Sequence, residues 1–270
     1  MNVLDRNSQL RLRDKLNGSR PMSADLKSGH PAEASIAKPV NFDADVAAYE
    51  LTTKPRYQNL SFAERYLAGY AGDLKLSTFA SYVIARREQN CIAKALEACS
   101  PPPAQVLDIP CGTGKLADVL SQHDCQVIAA DISLEMMALA KTAYEGRPGF
   151  QGFIRCDVTQ LPMADESFDT VICLRLIHLI PPHLRRKIIK ELARVTGRRL
   201  IVSYGMASRF QRIRLRLRRM ITGKVSAPHP VDFNVAQEDF SEAGLKLVRS
   251  FSILPLLSCE QVFVLEKITR

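Results

Sequence analysis

The sequence predicts an α/β fold with a mostly parallel seven-stranded sheet, helices on both faces, an antiparallel last strand and an amino-terminal helical cap. Between residues 105 and 204, short β-branched runs alternate with helical segments, as in parallel sheets that are covered on both faces. Near the carboxyl end, LKLVRSFSIL and EQVFVLEKI are separated only by a short turn that contains proline. Such a close pair must be antiparallel, because a parallel return needs a longer crossover.

The elements follow in order along the chain. Residues 1–40 are rich in Ser, Pro, Lys and Asp, which predicts a disordered tail. Residues 41–104 carry apolar side chains at helical spacing up to the PPP breaker, which predicts the helical cap. The sheet then occupies residues 105–270, with its first five strands in QVLDI, CQVIAAD, GFIRCD, FDTVICL and RRLIVSY. Within it, we expect one helix to begin after Ser133 and another to stop at Gly197.

Composition limits the class of protein. The seven cysteines stand singly without a CxxC pair, which indicates reduced thiols and neither a disulfide framework nor a metal site. No run approaches the roughly 20 apolar residues of a membrane span, and the amino terminus lacks a secretory signal, so we expect a cytoplasmic protein. The formal charge of +9 favours an acidic partner but does not choose one.

Acidic residues follow three of the predicted strands. Asp108, Asp131 and Asp157 come after the first, second and third strand, and Gly112 and Gly114 form a loop directly after the first. Open parallel sheets bind ligands at the carboxyl ends of their strands. We therefore predict the functional site at this edge.

The CGTGK loop also resembles two kinds of phosphate-binding loop. A Walker loop would need Gly at 109 and Ser or Thr at 116, where the chain has Ile109 and Leu116. A dinucleotide loop fits G-x-G-x-x-A through Ala117, but the carboxylate of Asp108 would repel a pyrophosphate. An NAD(P)-binding oxidoreductase therefore stays an alternative.

A ligand that is cationic at one end and sugar-like in the middle fits carboxylates beside bare glycine backbone better. VLDIPCGTGKLADVL, AADISLEMMALAK and FIRCDVTQLPMADESFDTVICLRLIHLI resemble the motifs of class I S-adenosylmethionine-dependent methyltransferases. The resemblance covers residues 104–204 and is closest to the ubiquinone and menaquinone branch, which acts on small molecules or lipids. It implies a Rossmann-like sheet and S-adenosyl-L-methionine as the cofactor. The chain departs from the family at Pro110, where Gly is usual.

The resemblance also implies a set of cofactor-binding residues. Asp131 would bind the ribose hydroxyls, Ile132 would pack on the adenine, and Asp157 with the Val158 amide would bind the adenine edge. Asp108 would hold the glycine loop and the ammonium group, while the two glycines and a leucine would line the methionine end. The complete set is Asp108, Gly112, Gly114, Asp131, Ile132, Asp157, Val158 and Leu174.

Methyl transfer needs mainly alignment, and it needs a base only where the acceptor must lose a proton. The candidate catalytic residues are His178 beyond the fourth strand, Tyr204 at the end of the fifth, and His229 in a later loop. A histidine at a helix start that merely packs on the sheet is the alternative for His178. LRLIH replaces the Asp/Asn-Pro-Pro-aromatic motif of amino-group base methylation, which argues against that reaction.

The most unusual segment is SRFQRIRLRLRRMITGK at 208–224, which has many arginines and no acid. Its apolar residues form one helical stripe, which predicts an amphipathic basic helix inside a lid at 205–230. We expect this helix either to contact an anionic substrate or a membrane surface, or to pack its stripe on the domain. With one aromatic residue it offers no stacking platform for RNA.

These observations predict a methyltransferase for a small-molecule or lipid-linked, anionic acceptor, with peripheral contact to an anionic inner membrane face. An RNA methyltransferase and a catalytically silent cofactor-binding regulator remain alternatives. Acceptor identity and oligomeric state lie beyond the sequence.

Overall fold

The computed structural model describes residues 46–69, 76–207, 212–213, 216–217, 220–221, 223, 229–254 and 259–268. Its sheet has seven strands: β1 (Gln105–Asp108), β2 (Gln126–Asp131), β3 (Phe150–Arg155), β4 (Phe168–Cys173), β5 (Thr196–Gly205), β6 (Leu245–Ser252) and β7 (Glu260–Lys267). Their spatial order is β3-β2-β1-β4-β5-β7-β6.

The strand directions confirm the predicted fold class. β1 to β5 pair in parallel, whereas β7 is antiparallel to both β5 and β6. The common dinucleotide-binding order is 3-2-1-4-5-6. This sheet differs from it because β7 is inserted between β5 and β6.

Helices cover both faces of the sheet. A π-helical turn (Tyr49–Thr53) runs directly into α1 (Lys54–Tyr57) and is followed by α2 (Leu60–Ala68), α3 (Leu76–Glu97), α4 (Ala117–Leu120), α5 (Leu134–Tyr144), α6 (Pro182–Val195) and α7 (Phe233–Glu242). Leu96 and Tyr144 pack with one face of the sheet, and Leu192 and Phe240 pack with the other. Burying each such side chain contributes about 1.5–3 kcal/mol. With both faces covered, the strand ends are where a ligand can reach the sheet.

The local predictions for helix ends have mixed outcomes. Ser133 caps α5 as predicted, since its hydroxyl oxygen accepts a hydrogen bond from the Met136 N–H at 3.0 Å. The predicted helix stop at Gly197 is wrong, because α6 ends at Val195 and Gly197 lies inside β5. The Thr196 hydroxyl donates to the carbonyl of Leu192 at 2.7 Å and so satisfies the last turn of α6.

Two predicted segments lie wholly or partly outside the described residues. The tail at 1–40 is outside them. Within the predicted lid at 205–230, helical geometry is described at 212–213, 216–217 and 220–221. Along the described parts of the chain, no helix has both the length and the apolar composition that crossing a membrane requires.

Candidate functional site

A cavity opens at the carboxyl edge of the sheet, where the functional site was predicted. It holds about 940 Å³, including its open mouth. Its walls come from the loop after β1, the segment between β2 and α5, the turn after β4, and the helices that precede the sheet. Four separate parts of the chain therefore meet at the ends of the central strands.

Asp131 holds the glycine loop in place. One of its carboxylate oxygens accepts the Gly112 N–H and the other accepts the Ser133 N–H, both at 2.9 Å. Burial raises the pKa of Asp131 above its usual range, although these backbone donors oppose the shift. One carboxylate thus joins the loop after β1 to the start of α5, and it borders the cavity.

The two predicted glycines have different roles. Gly112 borders the cavity with φ +53°, and a Cβ built there would meet no atom within 4 Å. Gly114 has φ +82°, and its Cβ would lie 2.8 Å from the Cβ of Ala143 in α5. Gly114 therefore allows α5 to pack against the loop and is not part of the cavity wall, and its predicted contact with the cofactor stays a prediction.

Asp108 presents a buried carboxyl group to the cavity. It is 2 % exposed and accepts a hydrogen bond from the Tyr144 hydroxyl at 2.5 Å. Burial raises the pKa of Asp108 to about 7, the Tyr144 hydrogen bond counteracts this, and the charge of Asp131 adds to it. A cation that enters the cavity would favour the ionised form.

Asp157 is engaged by the helical segment that precedes the sheet. The Lys54 ammonium donates to its Oδ2 at 2.6 Å, while the N–H and hydroxyl of Thr159 donate to its Oδ1 at 2.9 and 2.8 Å. Burial alone would raise the pKa of Asp157, but these hydrogen bonds lower it below its usual range. Asp157 and Val158 lie outside the cavity wall, whereas Ile132 and Leu174 are part of it.

Tyr204 lies in the core and not beside the cavity. Its ring packs against Phe240 and Phe263, and its hydroxyl donates to Asp239 at 3.3 Å. The structure thus does not place Tyr204 on the cavity wall, and its predicted role toward an acceptor stays a prediction. β5 is buried on both faces, so the end of the strand did not reveal which way this side chain points.

The two predicted histidines are brought together. The His229 N–H donates to the backbone carbonyl of His178 at 3.3 Å, and neither residue borders the cavity. Burial, followed by the charge of Arg175, lowers the pKa of His178 to about 4, while Glu88 acts in the opposite direction. The Nδ1 of His178 is buried without a hydrogen-bond partner. The imidazole is neutral at pH 7, and its role as a base stays a prediction.

A buried charged cluster on the cavity wall was missed by the sequence reasoning. Glu88 of α3 lies beside Arg175, which follows β4, and Lys115 of the glycine loop belongs to the same wall. Glu88 falls on the apolar stripe of α3, four residues before the buried Ile92 and three after Ala85. An acid on an apolar helix face is the signal that would have identified it.

Aromatic rings form much of the remaining wall. Tyr49, Tyr57 and Tyr66 border the cavity from the helical segment before the sheet. The Ser133 hydroxyl donates to the carbonyl of Tyr57 at 2.9 Å, which fastens this segment to the strand ends. The cavity is thus apolar and aromatic, with a few buried charges at fixed positions.

Comparison with known proteins agrees with this arrangement. Residues 106–198 match a family model described as a methyltransferase domain. The demethylmenaquinone methyltransferase of Paenarthrobacter aurescens (strain TC1) is 37% identical over 102 residues, which cover 37% of this chain and 38% of that protein. The chloroplastic magnesium protoporphyrin IX methyltransferase of Arabidopsis thaliana is 27% identical over 143 residues, covering 53% and 46%. The match spans less than half of each relative.

Solved structures share the fold. The magnesium protoporphyrin IX methyltransferase of Synechocystis PCC 6803, crystallised with bound SAH, aligns with a TM-score of 0.67 at 21% identity. That alignment covers 81% of this chain and 99% of the other. The [4+2]-cyclase SpnF aligns with a TM-score of 0.55 at 14% identity over 80% and 95% of the two chains. At such identities the likeness establishes the fold and leaves the chemistry to the site.

Proposed function

We propose that this chain, whose residues 106–198 match a methyltransferase-domain model, binds S-adenosyl-L-methionine and transfers its methyl group to a small-molecule or lipid-linked acceptor. The observation that carries the proposal is the cavity in which Asp108 and Asp131 stand beside the bare backbone of Gly112. The named activities of the similar methyltransferases support the choice of acceptor class.

The residues of the wall fit this cofactor. Asp108 is a buried carboxyl with a raised pKa, so it gains from a cationic neighbour such as the ammonium group. Gly112 leaves open space where any other residue would place a Cβ. Asp131 already accepts two backbone N–H groups, but a carboxylate has about four acceptor positions and can still bind ribose hydroxyls.

The other predicted roles are assigned as follows. Ile132 packs on the adenine, and Leu174 lines the methionine end, since both border the cavity. Asp157 and Val158 serve the adenine edge only if Asp157 shares its carboxylate with Lys54. The bound cofactor supplies an electrophilic methyl group, and the chain supplies alignment and exclusion of water.

Calorimetric titration tests the proposal. We expect S-adenosylhomocysteine to bind and NADH not to bind, and we expect Asp131→Ala to weaken the first ligand at least tenfold. Asp118→Ala is the matched control, because this carboxylate is exposed and pairs only with the exposed Arg147 on the described surface. A preference for NADH, or no loss of affinity in Asp131→Ala, would contradict the proposal. Methyl transfer to a quinol or a lipid-linked phenol would then exclude a silent cofactor-binding regulator.

A second proposal is that the segment at 208–224 contacts a membrane surface. Four apolar residues of the predicted stripe are described, and all four are exposed: Ile213 (59%), Leu217 (52%), Met220 (82%) and Ile221 (82%). The stripe therefore does not pack on the domain at these positions. The surrounding segment at 208–224 is basic and has no acid. We assign this surface to an anionic bilayer, where each near-surface arginine adds about 1 kcal/mol.

Vesicle sedimentation tests the membrane contact. We expect binding to vesicles of phosphatidylglycerol and phosphatidylcholine but not of phosphatidylcholine alone, and weaker binding at high salt. The double variant Met220→Ser and Ile221→Ser should lose most of this binding, whereas Val248→Ser should not, since Val248 is a 51% exposed apolar residue on β6. Equal binding of both variants would refute the assignment.

A further inference from the structure

The charged cluster on the cavity wall joins four elements of the fold. Arg175 Nη1 lies 2.5 Å from Glu88 Oε1 and 3.7 Å from an oxygen of Glu260 on β7. The Ser203 hydroxyl donates to Glu260 at 2.8 Å and accepts the Arg175 N–H at 2.8 Å. Lys115 donates to the Tyr66 hydroxyl at 3.3 Å and lies 4.7 Å from the centre of that ring. Two carboxylate side chains and two cationic side chains are thus grouped at one side of the cavity.

A buried charged cluster of this kind is an inefficient way to stabilise the fold. Glu88 is 3 % exposed, and a buried ion pair often contributes less stability than apolar residues of similar volume. Arg175 has φ +58°, a left-handed conformation that costs a non-glycine residue roughly 1–2 kcal/mol. Strained backbone and buried charge in one place are typical of functional sites.

We infer that this cluster is the acceptor site, in which Glu88 removes the proton of an acidic hydroxyl, of the phenol or enol class, while Lys115 and Arg175 hold the resulting oxyanion. The inference rests on the proposed function, because it concerns the second substrate of the same cavity. Glu88, Lys115 and Arg175 all border that cavity.

The chemistry balances without a further reactant. The acceptor O–H bond breaks and its proton goes to the Glu88 carboxylate. The oxygen electron pair forms the bond to the methyl carbon, and the carbon–sulfur bond breaks with its electron pair left on sulfur. Glu88 then returns its proton to solvent.

The surroundings of Glu88 suit a base that works near neutral pH. Burial, followed by the charge of Glu260, raises the pKa of Glu88, whereas Arg175 and Lys115 lower it. Burial, followed by Arg175, lowers the pKa of Lys115, while Glu88 and Glu260 raise it. The same groups therefore face one another from α3, the glycine loop, the turn after β4, and β7. A base is most effective when its pKa lies near the working pH.

The wall also selects the acceptor. A phenol titrates near pH 10, as a tyrosine does, within a few units of the raised pKa of Glu88, whereas an alkyl alcohol is far less acidic. The rings of Tyr49, Tyr57 and Tyr66 offer flat apolar contacts to an aromatic or conjugated acceptor. The acidity that the acceptor needs and the flat shape that fits the wall both indicate a phenol or enol.

The test uses 4-methoxyphenol as the probe at pH 8, on the full chain saturated with S-adenosylhomocysteine. In the wild type we expect the bound probe to show the ultraviolet spectrum of a phenolate, with no net proton released, because the proton moves to Glu88. Proton release is obtained from calorimetry in buffers of different ionisation enthalpy. In Glu88→Gln the proton has no carboxylate to go to. The phenolate signal should therefore either be absent or be accompanied by the release of about one proton to the buffer, as follows from proton linkage.

Matched variants keep the outcome clear. Glu97→Gln, an exposed residue at the end of α3, should behave like the wild type. Glu88→Asp should restore the phenolate signal in part, and Lys115→Met should weaken probe binding at least tenfold. An unchanged spectrum and proton count in Glu88→Gln, or failure of the wild type to bind the probe, would overturn the inference while leaving the proposed function in place. Failure of S-adenosylhomocysteine to bind would instead refute the proposed function.

Discussion

Cofactor affinity should depend on pH through Asp108. Burial raises the pKa of this carboxyl to about 7 in the free cavity, and the ammonium group of the ligand requires its ionised form. Affinity is therefore full above the raised pKa and is lost as the pH falls through it. With a pKa of about 7, the apparent Kd grows about tenfold at pH 6 and about 100-fold at pH 5.

Tyr144→Phe changes this profile in a direction that the structure fixes. The Tyr144 hydroxyl donates to Asp108 at 2.5 Å and so stabilises the charged form. A hydrogen bond to a charged group is worth about 1.5–3 kcal/mol, and one pKa unit is 1.36 kcal/mol, so its loss should raise the pKa of Asp108 by roughly one to two units. At pH 7, where half of the wild-type Asp108 is already protonated, the variant should then bind roughly 5- to 50-fold more weakly, and the difference should shrink toward pH 9.

Calorimetric titration with S-adenosylhomocysteine between pH 5 and 9 measures both effects. Asp108→Asn is the control, because it removes the titrating group at nearly the same volume, and its Kd should vary little with pH. A wild-type Kd that is constant from pH 5 to 8 would refute the reasoning. A full pH slope in Asp108→Asn would assign the effect to Asp131 or Glu88, whose pKa values are also raised.

Two predictions concern stability, measured by urea unfolding. Gly114→Ala should lower the free energy of unfolding by about 2–5 kcal/mol, because φ is +82° and the new Cβ would lie 2.8 Å from a side chain of α5. Gly112→Ala should lower it by only about 1–2 kcal/mol, because φ is +53° and the new Cβ would enter open space. Equal costs would contradict the packing role of Gly114. Asp239→Ala should lower the free energy of unfolding by about 3–5 kcal/mol, because the buried Arg185 loses the carboxylate that lies 2.6 Å from its Nε. Asp118→Ala, at an exposed ion pair, should lower it by less than about 1 kcal/mol. Similar values for these two variants would show that the buried pair contributes little.

Local patterns in the sequence were sufficient for much of the fold. Alternating strands and helices gave the parallel sheet, and the short connection before β7 required an antiparallel pair. The cap at Ser133 depends on residues within a few positions, so it too could be predicted directly. Gly197 misled because Thr196, beside it, ends the helix by a side-chain hydrogen bond.

Part of the site could also be predicted. Asp108, Asp131 and Gly112 end or follow adjacent parallel strands, and such strand ends must meet at one edge of the sheet. Their neighbours in space could not be predicted in the same way. Lys54 reaches Asp157 across 103 positions of the chain, and Arg175 reaches Glu88 across 87.

The sequence by itself therefore determined the sheet, its strand directions and the carboxylates at its edge, because periodicity and strand connections are local properties of the chain. Only the tertiary structure decided which side chains face the cavity. β5 is buried on both faces, so its pattern carries no mark of direction, and Tyr204 proved to lie in the core. Glu88, on an apolar helix stripe, became a cavity residue only when α3 packed beside the turn after β4. The acid on that stripe is a local signal, but its pairing with Arg175 and its place on the cavity wall come from packing between distant elements.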